Sequence, residues 1–481
     1  MVDFAGWDMP VQFASIVEEH RSTRSAAGLF DVSHMGEASV SGPGATVFLD
    51  YVLTNDISSM ECGRVLYSLM CYEHGGVVDD LLVYKKADDD YLLCLNASNT
   101  AKDVAWLESK LGGFDAKLVD VSDDFALLAL QGPKALEILG GLTNVDLASL
   151  NYYWFAEGDV AGKRCIISRT GYTGEQGVEL FVAPGDATEL AKAITEAGEP
   201  LGLVLAGLGA RDSLRLEAGY SLYGHEIEED ISPVQANLMW AVKLKKQSDF
   251  IGKAALLEEK AAGPKRKIVF FKTGSRRIIR SGTAVLENGE PVGKVVSGTF
   301  SPVLNEAIGS ALIDAPSLKA ELSVDMRGKS MRLFQAKPSF IELNPERNQR
   351  ICFFMNIPQD LKYTKDHEWL KLLDNGEAII GITDFAQQSL GDITFVELPE
   401  AGDSFDSGAT FGVVESVKAA SDLYMPIDAE IVAGNAELED APEKVNQSAF
   451  GEGWIVKIKI LDDSQIAGLL DPAAYAEIAK D

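Results

Sequence analysis

The chain has no long apolar run. Its longest stretches of that kind, such as 201–208, fall far short of a bilayer span and are broken by Gly, which excludes a helical membrane protein. It opens MVDFAGW, with no basic segment leading into an apolar one, so no export signal is read and the cytoplasm is the default location. Cysteines lack pattern as well. Cys62, Cys71, Cys94, Cys165 and Cys352 show neither CxxC nor metal-ligand spacing, and so read as reduced, mostly buried thiols. No pair among His20, His34, His74, His225 and His367 has metal or triad spacing, so each reads as structural, with His34 in FDVSHMGE the one to revisit. Positive charge is scarce: 43 Lys and Arg stand against 73 Asp and Glu, a net charge of -30 that excludes a nucleic-acid surface. No GxGxxG follows a strand, so a dinucleotide site is unsupported.

What is present is a soluble, core-forming composition, 46% hydrophobic and 24% charged over 481 residues, a length that implies about three or more domains. The acidity is uneven. Residues 356–481 hold 25 Asp and Glu against 8 Lys and no Arg, as a separately evolved acidic module would. A stretch without periodicity precedes it. The reading is therefore an α+β region at 1–260, a small antiparallel barrel or sandwich at 261–340, a linker at 341–356 and a strand-rich module at 357–481. A flexible linker of that length would span roughly 20 Å on average and reach about 50 Å when stretched.

Within the first part, GRVLYSLMC, VVDDLLVYKK, DYLLCLN and RCIISRTG read as strands, whereas NTAKDVAWLESKLG and ATELAKAITEAG read as helices. In the last module ITDFAQQSLG and PAAYAEIAK are the candidate helices.

Four segments could carry chemistry. In GGVVDDLLVY, Asp79 and Asp80 interrupt an apolar strand and must point to opposite faces, so one carboxylate should border a partly buried site unless both face water at a strand end. In SRTGYTGEQGVEL, Gly171, Gly174 and Gly177 permit tight turns that could bring Tyr172, Glu175 and Glu179 beside a planar heterocycle; a plain Gly-rich turn is the alternative. In AGLGARDSLRLEAG, Arg211 could meet a carboxylate or serve in a structural Arg–Asp pair. In GVVESVKAASDLYMP, Lys418 sits among small neighbours after an apolar strand, as a lysine near a hairpin tip would.

Together, VDFAGWDMP, FDVSHMGE, LTNDISS, GGVVDDLLVY, LNASN, SRTGYTGEQGVEL, GLGARDSLRLEAG and SGTFSPVL resemble the glycine cleavage T-protein over residues 1 to about 340. KYTKDHEWL, GITDFAQQSLGDI, ESVKAASDLYMP and FGEGW resemble the glycine cleavage H-protein over about 356–481. The resemblance implies a three-domain folate-binding aminomethyltransferase fold followed by a small β-rich lipoyl domain, a barrel-sandwich hybrid. It implies an enzyme that moves the methylene carbon of an aminomethyl-lipoyl carrier to tetrahydrofolate and releases ammonia. Asp80 is then the catalytic carboxylate facing developing positive charge, Glu179 the pterin anchor, and Tyr67, Asn96, Tyr152 and Tyr172 the pocket wall. Arg211 lines the same pocket with its partner left open, and Lys418 carries covalent lipoate. The implied partners are glycine decarboxylase, dihydrolipoamide dehydrogenase, lipoate-attaching enzymes and the chain's own lipoyl domain docking on the transferase; neither nucleic acid nor membrane is expected.

Three departures stand against that pattern. The usual leader before VDFAGW is absent, MPIDAEIVAGN puts Met425, Asp428 and Ala429 where the family often has SPVSGEVVEVN, and the two proteins share one chain. Two other functions compete. A folate-dependent demethylating oxidase would need the missing dinucleotide unit, and a non-enzymatic folate-binding scaffold joined to a lipoate carrier would not need Asp80, Glu179 and Arg211 intact.

Overall fold

The computed structural model describes residues 1–341, 358, 360–373, 376–390, 393–416 and 420–479. The chain divides into two units, residues 1–344 and 345–481.

The first unit begins with a hairpin, β1 (Val2–Phe4) and β2 (Trp7–Met9), and helix α1 (Ile16–Ser25). Strands β3 (Ala27–Asp31) and β4 (Gly36–Ser41) then enter two different sheets. The first sheet is antiparallel, in the order β5 (Val65–Cys71), β6 (Val77–Ala87), β7 (Asp90–Leu95), β4 and β8 (Lys117–Asp120). The second runs β10 (Phe155–Val160), β11 (Lys163–Ser168), β12 (Gly177–Val182), β9 (Ala126–Gln131), β3 and β13 (Leu203–Leu205), with only the last pair parallel.

Helices cover the outer face of each sheet. Against the first pack α2 (Ala45–Val52) and α3 (Thr100–Lys110), whose Phe48, Leu49 and Leu107 meet Val78, Leu81 and Val83 of β6. Against the second lie α4 (Ala135–Gly140) and α5 (Pro184–Gly198); α5 has Pro in its first turn and buries Leu190 and Ile194, four residues apart on one face. The inner faces meet in a shared core of Tyr84, Leu92 and Cys94 against Phe30, Leu127 and Phe181, closed by Ala210 and Leu214 of α6 (Leu208–Glu217). Because β6 is covered on both faces it reads as a near-continuous apolar run, and the two aspartates in it must be accommodated rather than solvated.

Beyond α7 (Lys253–Ala262), strands β14 (Arg266–Lys272), β15 (Ala284–Glu287), β16 (Glu290–Ser301), β17 (Glu306–Asp314), β18 (Leu322–Asp325) and β19 (Ser330–Ala336) close into a barrel, so the barrel alternative holds over the sandwich. Its filling includes Val285, Val295, Ala311 and Val324. The strands and helices expected from those segments are all present, with ends that differ from the expected ones by up to three residues in either direction.

The second unit places a six-stranded and a three-stranded sheet over one core that includes Leu370, Ile380, Val414, Leu423, Ile431 and Ile458. Both expected helices form, at Asp384–Leu390 and Pro472–Ile478. The unusual MPIDA segment is absorbed by packing: Met425 and Ala429 are buried, and Asp428 accepts the Ser407 backbone N–H at 2.7 Å.

Candidate functional site

The site starts from the strand parity of β6. Asp80 shares its face with Leu82 and Tyr84 and looks into the seam between the sheets; Asp79 looks the other way, toward α3. Pairing of β6 with β7 begins at Leu82 and Cys94, so both aspartates run past the last rung, and Asn96, just beyond the end of β7, can reach round to each. Its side-chain amide donates to Asp80 Oδ1 at 2.8 Å, to the Asp80 carbonyl at 3.0 Å and to Asp79 Oδ1 at 3.0 Å. The strand-end alternative is thus half right: these residues lie at a pairing edge, yet Asp79 is fully buried and Asp80 half-buried.

Tyr67, diagonal to Asp80 on β5, donates its hydroxyl to Asp80 Oδ2 at 3.0 Å. Burial and the Asp79 charge push the Asp80 carboxyl up from 3.8 to about 7, against the pull of these two donors. It therefore changes charge near neutrality. The Tyr67 ring stacks on Trp240 at 5.1 Å, and Trp240 remains 44% exposed, giving the carboxylate an aromatic wall open on one side.

Tyr172 lies between Tyr220, stacked at 5.8 Å, and the Arg211 guanidinium, 4.8 Å above its ring; its hydroxyl donates to the Ser221 carbonyl. Both Tyr172 and Asp80 lie within electrostatic reach of Tyr67. Tyr152 joins at one remove: it is edge-on to Tyr153 at 4.8 Å, and the Tyr153 phenol acts on Tyr67. Glu179 of β12 shares a face with Phe181 and looks into the same seam from the opposite sheet, accepting a hydrogen bond from Thr170. Two carboxylates from two sheets thus address one interior seam.

Glu175 turns elsewhere: it pairs with Arg24 at 2.9 Å, which corrects the expectation that it could stand beside a ligand. The structural Arg–Asp pair of this motif is Arg215 with Asp212, at 2.9 Å, while the Arg211 side chain makes no ion pair or hydrogen bond among the described residues. Gly171 is required by crowding, since a Cβ there would sit 1.9 Å from Gln131 Oε1. His34 is buried against Phe4 at 5.2 Å, and burial together with Arg211 lowers it to about 4, so it is neutral. Cys71, Cys94 and Cys165 are free and buried, Cys62 is free and exposed, and no metal-binding cluster occurs among the described residues.

Lys418 lies outside the described residues, as do Val417, Ala419 and Cys352. The flanking strands Thr410–Ser416 and Ala420–Tyr424 pair antiparallel, with Glu415 opposite Ala420.

Residues 1–246 match the family model of the GCVT N-terminal domain, and residues 266–341 that of the glycine cleavage T-protein C-terminal barrel domain. An aminomethyltransferase of Anoxybacillus flavithermus is 51% identical over 334 residues, 69% of this chain and 92% of that protein. One of Bacillus subtilis is 48% identical over 337 residues, 70% of this chain and 92% of that protein. The chain belongs to the glycine cleavage T-protein family. The crystal structure of aminomethyltransferase T from Bartonella henselae superposes with a TM-score of 0.67 at 35% identity, covering 71% of this chain and 94% of that one. Residues 361–481 match the glycine cleavage H-protein model, so a T-protein enzyme and an H-protein lipoyl domain share one chain.

The cluster around Asp80 contains groups the sequence did not announce. Trp240 sits in ANLMWAV, a segment without strand or helix periodicity, and Tyr220 follows α6 in a loop; nothing local marks either as a wall of the Asp80 group. Asn99 and Asp103 were legible only as part of a helix start. No helix among the described residues is long and apolar enough to cross a membrane.

Proposed function

We propose that Asp80 is the catalytic carboxylate of a tetrahydrofolate-dependent aminomethyl transfer, in which the methylene carbon of a lipoyl-borne aminomethyl group exchanges its bonds to the lipoyl sulfur and to nitrogen for bonds to two folate nitrogens, releasing the dihydrolipoyl carrier and ammonia and forming 5,10-methylenetetrahydrofolate. The observation that carries this is a carboxylate fixed by Tyr67 and Asn96 beside an open aromatic wall, with its acidity set near neutrality. Tetrahydrofolate, when bound, supplies the nitrogens that take up the carbon. The chain's own residues do the rest. Asp80 stabilises the positive charge that develops as the carbon–nitrogen bond to ammonia breaks, an effect worth several kcal/mol in a preorganised site, and it can accept and return a proton at its own oxygens.

The donor set fits the folate. Glu179 offers an acceptor for the N–H edge of a pterin, Tyr67 and Tyr152 offer aromatic surface, and Tyr172 carries over its ring the Arg211 guanidinium, which has no ion-pair partner among the described residues. Lys418 is the proposed site of covalent lipoate. A tethered carrier reaches an effective concentration of about a millimolar at the transferase site, so docking must be weak and reversible for the arm to serve glycine decarboxylase and dihydrolipoamide dehydrogenase as well. Lipoate-attaching enzymes act on the same lysine.

The test is turnover of the full, lipoylated chain charged with an aminomethyl group, following ammonia and methylenetetrahydrofolate. Asp80→Asn should lower folate-dependent release of both by orders of magnitude with the fold intact. Retained turnover overturns the assignment.

A further inference from the structure

Behind Asp80 lies a second acid that the reaction as described does not use. Asp79 is fully buried on the α3 side of β6, and three donors converge on it: the Asn96 amide and the Asn99 amide on Oδ1, at 3.0 and 2.8 Å, and the Asn96 backbone N–H on Oδ2 at 3.4 Å. Asp103, in the first turn of α3, is equally buried, and its carboxyl is in hydrogen-bonding contact with Asp79. Neither Asp103 oxygen receives a hydrogen bond from a donor group, although Lys102 Nζ stands 3.4 Å away. Two carboxyl groups in contact, out of water, cannot both be ionised, and a single proton between them turns the repulsion into a hydrogen bond.

We propose that Asp79 is a positioning residue for the Asp80 carboxylate, acting through the Asn96 side-chain amide, and that it shares one proton with Asp103. The inference rests on the assignment of Asp80 above. One amide nitrogen spans Oδ1 of both aspartates and the Asp80 carbonyl, so the orientation of Asp80 is tied to the charge and place of Asp79. Of the other groups facing the acid pair, Lys102 pairs with Asp103 at 3.4 Å and offsets part of its charge, while also donating to the Val78 carbonyl and lying over the Tyr223 ring at 4.2 Å; Tyr72, Tyr223 and Glu229 bring neutral or negative character. On the far side, Tyr67 and Tyr172 face Asp80. Burial and the contact with Asp79 raise the Asp103 carboxyl well above the ordinary carboxylate range, which favours a proton held within the pair, while Lys102 pulls the other way.

The experiment uses the full chain and two independent readouts. Infrared difference spectra recorded across the neutral to alkaline range report protonated carboxyl groups. The band should be present in the parent, kept in Asp80→Asn and lost in Asp103→Asn; a band unaffected by Asp103→Asn overturns the shared proton. The acid limb of kcat/KM against pH reports Asp80. Asp79→Asn removes a like charge and should move that limb down by about one unit, whereas Asn96→Ser removes a donor and should move it up. A purely structural Asp79 would lower rate or stability and leave the limb in place, and that outcome overturns the positioning role. If Asp79→Asn does not fold, Asn96→Ser decides, since an unmoved limb there breaks the link. Were Asp80→Asn itself to retain turnover, the catalytic assignment would fail while the infrared result would still stand or fall alone.

Discussion

Tyr67 and Asp80 meet at 3.0 Å, hydroxyl to carboxylate, from neighbouring strands, and the same tyrosine ring lies flat against Trp240. One side chain thus sets both the charge partner of the carboxylate and one wall of the space beside it.

Tyr67→Phe separates those roles. The ring and its stack remain, but the donor that favours ionised Asp80 is gone, so the Asp80 carboxyl rises above about 7 and the acid limb of turnover moves to higher pH. A hydrogen bond to a charged group is worth about 1.5–3 kcal/mol, and a loss of about tenfold or more in kcat is expected, with little change in folate affinity. Steady-state rates across pH measure it.

Glu37 gives a stability prediction. It is 1% exposed on the seam face of β4, and burial pushes its carboxyl from 4.5 up to about 8, with Asp120 adding to the shift. A raised acid favours its protonated form in the fold, so its contribution is greatest below 4.5 and is lost as pH climbs to about 8. Glu37→Gln should stabilise the protein at about pH 8 by up to a few kcal/mol, with the gain vanishing below about 4.5. Denaturant titrations at the two pH values would show it.

Arg215 is the buried tie between α6 and the barrel. Its guanidinium donates to Glu226 at 3.0 Å, to Ser297 at 2.9 Å and to the Tyr220 carbonyl at 3.0 Å. Arg215→Met leaves Glu226 buried without its cation and should cost about 3–5 kcal/mol; replacing Glu226 by Leu in the same chain should recover much of that in an unfolding assay.

Lys418→Arg should abolish lipoylation, read as loss of the lipoyl mass increment, and leave folate binding by the T-protein part unchanged. A surviving increment would move the attachment site elsewhere.

Much of this was legible without a structure because periodicity reports burial. The strand pattern of β5, β6 and β7, the Leu190–Ile194 face of α5 and the turn-punctuated runs of the barrel each carry their own local signal. Motif resemblance named Asp80, Glu179 and Arg211 because those residues stand in contiguous segments.

What the sequence alone determined was therefore the set of elements, the division of charge between the two parts, and the opposite facing of Asp79 and Asp80. Only the tertiary structure decided what each of those faces meets. Asn99 and Asp103 of the α3 region close on one aspartate, Tyr67 and Trp240 on the other, and Trp240 comes from more than 150 residues away. Likewise Arg211 and Arg215 stand four apart on one helix, yet one keeps its guanidinium over Tyr172 and the other is locked between Asp212 and Glu226. Which neighbour a side chain meets depends on how separate elements pack, and local spacing carries no record of that.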